Sequence, residues 1–291
     1  MRILITGSNG YLGKRLVKRY GDCHEIYAAT HENLDFTDED NIRAVFESFG
    51  PEAVVHCGAI SDVGACGRDP EKSLKVNVYG TRNMARVCAE AGAKMIFCSS
   101  DQVYAQAAPQ MVGRDFYLPH REEVKTEPVP VYGQHKLMAE ALCMEENPKS
   151  VILRLSWMYD VPDEAERKKG KGVFAENLKT ALARGQVFNL DSNTCRGITD
   201  CGEVAENMEK AWSLPAGIYN FGSSGTDNVY ETVRKVFGRF GKEELVQCGV
   251  GGTVQNLLMD TQKAESAGIR FRSTGQGLYE YIKGVTIEKI F

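Results

Sequence analysis

Along the first half of the chain, short apolar runs alternate with stretches whose apolar residues recur at helical spacing. Arg2–Thr6 is a short apolar strand, and the helical pattern Lys14–Tyr20 follows it. A second strand is predicted at Glu25–Ala29 and a helix at Asn41–Phe49. Pro51–Cys57 reads as a loop entering a strand that is apolar without alternation, the pattern of a parallel strand covered on both faces. A long helix is predicted after Pro70, carrying Val76, Asn77 and Val78. Lys94–Cys98 is a further buried strand, and it delivers Ser99, Ser100 and Asp101 to its C-terminal edge, where open α/β sheets bind ligands.

Ala105–Pro130 is polar, holds Pro109, Pro119, Pro128 and Pro130, and reads as a long loop, either functional or mobile. The helix formers Leu137 to Leu142 lie downstream of these prolines, so a helix is predicted from about Val131. Val151–Tyr159 returns as a strand. The charged run Asp163–Gly172, with Arg167, Lys168, Lys169 and Lys171, reads either as a solvated loop or as a segment that meets phosphate. Strands at Val187–Leu190 and Gly217–Phe221 and helices at Phe174–Arg184, Glu203–Trp212 and Val229–Phe240 complete the pattern. The alternation predicts an α/β fold: a Rossmann-type doubly wound parallel sheet over residues 1–160, then a smaller mixed α/β C-terminal domain over 161–291. About 198–222 of the second part is expected to return to the first.

Composition narrows the function. A chain of 291 residues has room for one large domain or two unequal ones, and its net charge of −4, with no basic stripe, argues against nucleic-acid binding. No apolar run reaches the roughly 18–20 residues of a membrane span, and Met1–Ile5 is too short for a signal-peptide core. Nine cysteines, odd in number and without a Cys-x-x-Cys pair, read as reduced thiols of a cytoplasmic enzyme. No metal site is expected, since His56 and Cys57 are adjacent on a strand and point to opposite faces.

Two constellations carry chemistry. Gly7-Ser8-Asn9-Gly10-Tyr11-Leu12-Gly13 stands between a strand and a helix, the context in which a glycine turn cradles a dinucleotide pyrophosphate at a helix N-terminus. The acid expected about 20 residues on, to hold a ribose hydroxyl, is replaced by Thr30 and His31, with Glu32 late. Asp35 either caps locally or faces an adenine, and Asn77 is solvated, bonded to backbone, or in support of a site. The second constellation is Tyr132 and Lys136, at i and i+4 on one helix face, where an ammonium eases deprotonation of a phenol whose ordinary pKa is about 10.

With these residues in order, the chain resembles the extended short-chain dehydrogenase/reductase superfamily. Val76-Asn77-Val78-Tyr79-Gly80-Thr81, Ser99-Ser100-Asp101-Gln102-Val103-Tyr104, the Tyr132 and Lys136 pair and Arg154-Leu155-Ser156-Trp157-Met158-Tyr159 carry the likeness over most of residues 1–160. Within the superfamily it is most similar to the dTDP-4-dehydrorhamnose reductase group. Arg196-Gly197-Ile198-Thr199-Asp200 resembles a segment of nucleotide-sugar epimerases and dehydratases.

The resemblance implies an NAD(P)H-dependent reductase of a keto group on a nucleotide-linked sugar, with NADP(H) slightly favoured over NAD(H). A nucleotide-sugar 4-epimerase and a non-catalytic NADP-binding regulatory subunit are the alternatives; the assembly is left open, with a homodimer among the options. Ser100 would hydrogen-bond the substrate carbonyl, Tyr132 would protonate it, and Lys136 would hold the nicotinamide ribose, with Asp101 beside them. Asn9, Gly10, Tyr11, Leu12 and Gly13 would line the pyrophosphate, Asp35 and Phe36 the adenine, and Gly58, Ala59 and Ile60 the middle of the cofactor. Gly7, Thr30, Cys57 and Asn77 complete the cofactor set, and Gln102, Trp157 and Arg196 form the substrate set; Tyr11 and Leu12 also suit simple packing of the first helix, and Trp157 a core position. Dehydratases of the superfamily carry Asp-Glu where this chain has Asp101-Gln102, and an amide cannot act as the elimination base; the reductases carry a tyrosine there.

Overall fold

Strand β1 (Arg2–Thr6) turns through glycines into α1 (Tyr11–Tyr20), and β2 (Glu25–Ala29), α2 (Glu39–Phe49) and β3 (Ala53–His56) follow. The computed structural model describes residues 1–106, 118–249, 251 and 254–286. Residues 107–117 of the predicted loop, Pro109 included, lie outside the described residues. After β3 come α3 (Val63–Arg68), α4 (Pro70–Ser73), a π-helical turn (Leu74–Tyr79), α5 (Gly80–Ala91) and β4 (Lys94–Ser100). A 3₁₀ turn (Asp101–Tyr104) ends β4, and the chain returns as α6 (Val131–Glu146) and β5 (Val151–Leu155).

Beyond β5 the elements are shorter. They are β6 (Trp157–Tyr159), α7 (Glu164–Lys168), α8 (Phe174–Arg184), β7 (Phe188–Leu190), β8 (Thr194–Arg196), β9 (Ile198–Asp200), α9 (Cys201–Ala211) and β10 (Gly217–Phe221). Then come α10 (Val229–Gly238), β11 (Val246–Cys248), β12 (Gln255–Leu257), α11 (Gln262–Ser266) and α12 (Thr274–Thr286).

The central sheet has the order β2-β1-β3-β4-β5-β10, every pair parallel. Strand alternation divides its side chains between two cores. Ile3, Ile5, Val55 and Ile96 pack under α1 and α9, while Leu4, Val54, Met95 and Phe97 pack under α2, α5 and α6. The connections from β1 to β2 and from β2 back to β3 run to opposite sides of β1. The C-terminal ends of β1 and β3 therefore flank the crevice where such sheets take ligands. The later elements build a third core around Tyr159, Leu178, Val233, Phe237 and Leu278, with β6–β9, β7–β11 and β8–β12 as parallel two-stranded pieces.

Three expectations are corrected. The single strand Val151–Tyr159 is two strands: Ser156 leaves the sheet, its Oγ bonded to Thr199 Oγ1, and β6 pairs with β9 instead of with the central sheet. The charged run at 163–172 is not simply a loop. Asp163 and Glu166 form a capping box that starts α7, and Arg15 and Lys14 of α1 bind the same carboxylates. The helix after Pro70 is α4, a π turn and α5 end to end. Among the described residues no helix is long and apolar enough to cross a membrane, and no group of His, Cys, Asp and Glu is arranged to hold a metal ion.

Candidate active site

The glycine turn is packed backbone on backbone. Gly7 sits at φ +64°, and a Cβ there would lie 2.9 Å from Gly58 Cα. A Cβ on Gly13 would overlap Gly7 O, so α1 can approach β1 this closely only without a side chain. Gly10, the N-cap of α1, makes no side-chain cap, which leaves the first N–H groups of the helix facing the crevice. The turn thus offers a cradle that fits a pyrophosphate.

Other members of the predicted cofactor set are placed less uniformly. Asn9 is exposed at the turn. The Leu12 side chain is buried in the core beside Leu16, and the Tyr11 ring lies 4.0 Å from the Arg15 guanidinium carbon and against Gly172. For both residues packing takes the side chain, and only the backbone remains for a ligand. Asp35 makes local bonds, its Oδ1 accepting from Thr37 N at 2.9 Å and Thr37 Oγ1 at 2.7 Å, and it stays exposed beside Phe36. Thr30 N donates to Asn33 Oδ1 at 2.7 Å, closing the turn after β2. Phe36 is half-buried, its ring 4.9 Å from His56 and so close to Gly58 that a Cβ there would come within 2.6 Å.

Asn77 is fully buried and bonded to backbone. Its Oδ1 accepts from Ile60 N at 2.8 Å, and its Nδ2 donates to Ile60 O at 3.0 Å. It therefore acts on the crevice by fixing the segment Gly58-Ala59-Ile60, not by facing a cofactor directly. Thr6 Oγ1 anchors the same segment by accepting from Gly58 N at 3.0 Å.

Helix α6 starts at Val131, as the prolines predict, with Pro130 at its N-cap. Tyr132 and Lys136 point from it toward the end of β4. Lys136 Nζ donates to Cys98 O at 2.7 Å, lies 4.6 Å from the Phe97 ring centroid and 5.9 Å from that of Tyr132. Ser100 Oγ donates to Asp101 Oδ1 at 3.3 Å and accepts from Gln102 N at 3.2 Å. The expected easing of Tyr132 ionisation is corrected here: burial pushes its phenol well up, outweighing the Ser100 hydroxyl that pulls it down. Burial also lowers Lys136, to about 8, with the nearby Cys98 opposing. Both shifts follow from enclosing charge away from water, and they leave Tyr132 protonated at neutral pH.

On the substrate side, Asp101 Oδ2 pairs with Arg196 Nη2 at 2.7 Å, and Arg196 lies 5.1 Å above the Trp157 ring. Trp157 is 39% exposed and tilted on Phe174 at 4.9 Å, so it is not a core residue. Gln102 is half-buried at the start of the 3₁₀ turn, and α6 comes so close to its carbonyl that only a glycine, Gly133, fits. The structure brings Ser100, Asp101, Tyr132, Lys136, Trp157 and Arg196 to one edge of the sheet.

Sequence reasoning missed the support beneath them. Glu140, one turn past Lys136, accepts from Arg154 Nη2 at 2.6 Å and from Ser99 Oγ at 2.5 Å. Arg154 also donates to Tyr104 Oη at 2.7 Å, and Tyr104 donates on to Asn220 Oδ1 at 2.8 Å. The network is buried and ties α6 to β4, β5 and β10. Its signal was the spacing of Tyr132, Lys136 and Glu140 on one helix face, together with an arginine inside an apolar strand.

The family described as RmlD substrate binding domain matches residues 1–266. The spore coat polysaccharide biosynthesis protein SpsK of Bacillus subtilis is 26% identical over 290 residues, 97% of each chain. A dTDP-4-dehydrorhamnose reductase of Mycolicibacterium smegmatis is 26% identical over 253 residues, covering 85% of this chain and 72% of that one. The crystal structure of a Bacillus anthracis dTDP-4-dehydrorhamnose reductase in complex with NADP superposes with a TM-score of 0.79 at 20% identity, over 98% of both chains.

Proposed function

Because this chain belongs to the RmlD substrate binding domain family, we propose that it is an NAD(P)H-dependent reductase of a keto group on a nucleotide-linked sugar, of the dTDP-4-dehydrorhamnose reductase type. The observation that carries this reading is the convergence of Ser100, Tyr132 and Lys136 at the edge of the sheet that also carries the glycine cradle. When bound, the nicotinamide cofactor supplies the hydride.

The chain's own residues do the rest. The backbone N–H groups of Tyr11, Leu12 and Gly13 would hold the pyrophosphate, the Gly10 N–H being taken by Gly7 O at 2.8 Å. The segment Gly58-Ala59-Ile60, fixed by Asn77 and Thr6, borders the middle of the cofactor. Lys136, its ammonium held by Cys98 O, would donate a second hydrogen bond to the nicotinamide ribose. On substrate binding the Ser100 hydroxyl would turn its one proton from Asp101 to the carbonyl oxygen, and the neutral phenol of Tyr132 would give that oxygen its proton. Asp101 holds Ser100 and Arg196 in register, and Arg196, Trp157 and Gln102 face the nucleotide sugar. Elimination of water has no base at Gln102, because an amide does not titrate. Where an acid would meet the ribose hydroxyls, β2 is followed by Thr30 and His31, with the carboxylate of Glu32 displaced further into the turn, which supports NADP(H). Residues 1–160 carry cofactor and catalysis, and the later residues cap the substrate. All nine cysteines are free thiols, which suits the cytoplasm.

The test is NADPH oxidation by the wild type and Tyr132→Phe against a panel of 4-keto nucleotide sugars. The variant is expected to lose about 10²–10⁴ in kcat while its cofactor affinity stays within about twofold. Full activity in Tyr132→Phe, or no turnover of any 4-keto sugar by the wild type, overturns the reading.

A further inference from the structure

Cys57 and Cys98 meet across the sheet with their sulfurs 3.4 Å apart, 41 residues apart in sequence. Strand register puts them there. β3 and β4 run parallel with His56 opposite Phe97, so the next step sets Cys57 beside Cys98. The rings of His56 and Phe97 meet on one face at 5.8 Å, and the two thiols meet on the other. Neighbouring strands lie about 4.7–4.9 Å apart, within the range of Cα separations that disulfides span.

The pair occupies a sensitive place. Cys57 directly precedes Gly58, against which the glycine turn packs, and the carbonyl of Cys98 is the acceptor that holds Lys136. Cys57 is only partly buried, while Cys98 lies 6% exposed beneath it. The Cys98 hydrogen bond and burial hold the Cys57 thiol well above the usual thiol range, so its reactive thiolate is scarce near neutral pH and grows as pH rises, with its partner already within reach.

We propose that Cys57 and Cys98 form a modification site: a dithiol that a peroxide closes to an intramolecular disulfide, distorting the cofactor crevice. The Cys57 thiol attacks one peroxide oxygen, giving a sulfenic acid and one water. The Cys98 thiol then displaces the sulfenic oxygen as a second water, forming the S–S bond. The peroxide gains the two electrons that the two thiols lose. Closing to a bond length of about 2.05 Å moves the sulfurs together by roughly 1.4 Å, and the side-chain rotations this takes occur beside Gly58 and the Lys136 acceptor. A bound dinucleotide covers Cys57 and slows the step.

The experiment treats the purified full chain with hydrogen peroxide, with and without saturating NADP⁺, then alkylates free thiols and maps peptides by non-reducing mass spectrometry. A Cys57–Cys98 linked peptide, two hydrogens lighter than its two thiol peptides, is expected; it disappears on treatment with dithiothreitol and forms more slowly with NADP⁺. The exposed Cys23 and Cys248 report the oxidant dose. If both are oxidised while Cys57 and Cys98 remain alkylatable, or reach sulfinic acids separately, the proposal is wrong. A second arm rests on the reductase reading: turnover is expected to fall about tenfold or more on oxidation and to return with dithiothreitol. Cys98→Ser, compared with its own untreated sample, should show no linked peptide and no reversible loss. A linked peptide without any loss of turnover overturns the proposed distortion of the crevice. The peptide arm stands even for a chain that reduces no sugar, so failure of the function and failure of the site are read separately.

Discussion

The Asp101 carboxylate holds the Arg196 guanidinium at 2.7 Å across 95 residues of sequence, and the same guanidinium covers Trp157. Asp101 is buried, which raises its pKa, and Arg196 is the principal group opposing that rise. Arg196→Ala therefore leaves a carboxylate enclosed without its cation. Removing one partner of a buried pair costs about 3–5 kcal/mol, and since Arg196 still touches solvent a loss of about 2–3 kcal/mol is expected by urea unfolding. The KM for the sugar nucleotide should rise as well. Arg196→Lys restores charge without the planar fork and should recover only part of each effect. Unchanged stability and KM in Arg196→Ala would remove the residue from the site.

The pH profile of kcat/KM should fall above about pH 8. Burial lowers Lys136 to about 8, so the ammonium is lost as pH rises through that value, while Tyr132, pushed upward, remains neutral. The limb should vanish in Lys136→Met, whose residual activity is flat over the same range. Stability moves the other way. The folded chain releases this proton near 8 and the unfolded chain near 10.5, so between those values the unfolded state binds more protons. The group then adds stability as pH rises through that window. Urea midpoints measured across it should show the wild type gaining relative to Lys136→Met.

Glu140 and Arg154 pair at 2.6 Å with side chains 2% and 3% exposed. Glu140→Ala or Arg154→Ala should each cost about 3–5 kcal/mol, because the survivor is left charged in the interior. The apolar double variant Glu140→Leu with Arg154→Met should cost less than the sum of its singles. A double-mutant cycle by denaturant unfolding measures the difference. Additive losses would mean the two groups do not compensate one another.

Gly13→Ala should weaken NADPH binding by about tenfold or more, at least about 1.4 kcal/mol by calorimetry. The added methyl overlaps Gly7 O, so α1 must retreat from the turn. Gly67→Ala in α3, where a Cβ meets nothing within 4 Å, is the matched control and should bind as the wild type does.

What could be read from the sequence was local. Gly7 to Gly13 announce a turn whose spacing alone implies backbone contact, and Tyr132 with Lys136 declare one helix face. Ser100 and Asp101 were legible because a buried strand must deliver its last residues to an edge. Residues whose partners lie far along the chain were not. Glu140 on the Lys136 face and an arginine inside an apolar strand hinted at a buried pair without joining the two, and the grip of Asp101 on Arg196 needs β8 to be brought beside the 3₁₀ turn. The capping pattern Asp163-x-x-Glu166 was present, but the lysines around it suggested a solvated run, and its docking on α1 depends on Arg15. The break at Ser156 was hidden because its partner, Thr199, belongs to a strand of three residues.

The pairing of β10 with β5 bears on how the chain can be cut. β5 is apolar but for Arg154 and is flanked by β4 on one side and, on the other, by a strand made more than sixty residues later. A fragment ending near residue 160 would hold Ser100, Asp101, Tyr132 and Lys136 but lack Arg196 of the substrate set, and it would present the backbone N–H and C=O groups of β5 as an open edge. Such an edge recruits strands from other chains. During synthesis the same edge waits for residues 217–221 to leave the ribosome, which makes the last strand of the sheet the step that separates a soluble intermediate from an adhesive one.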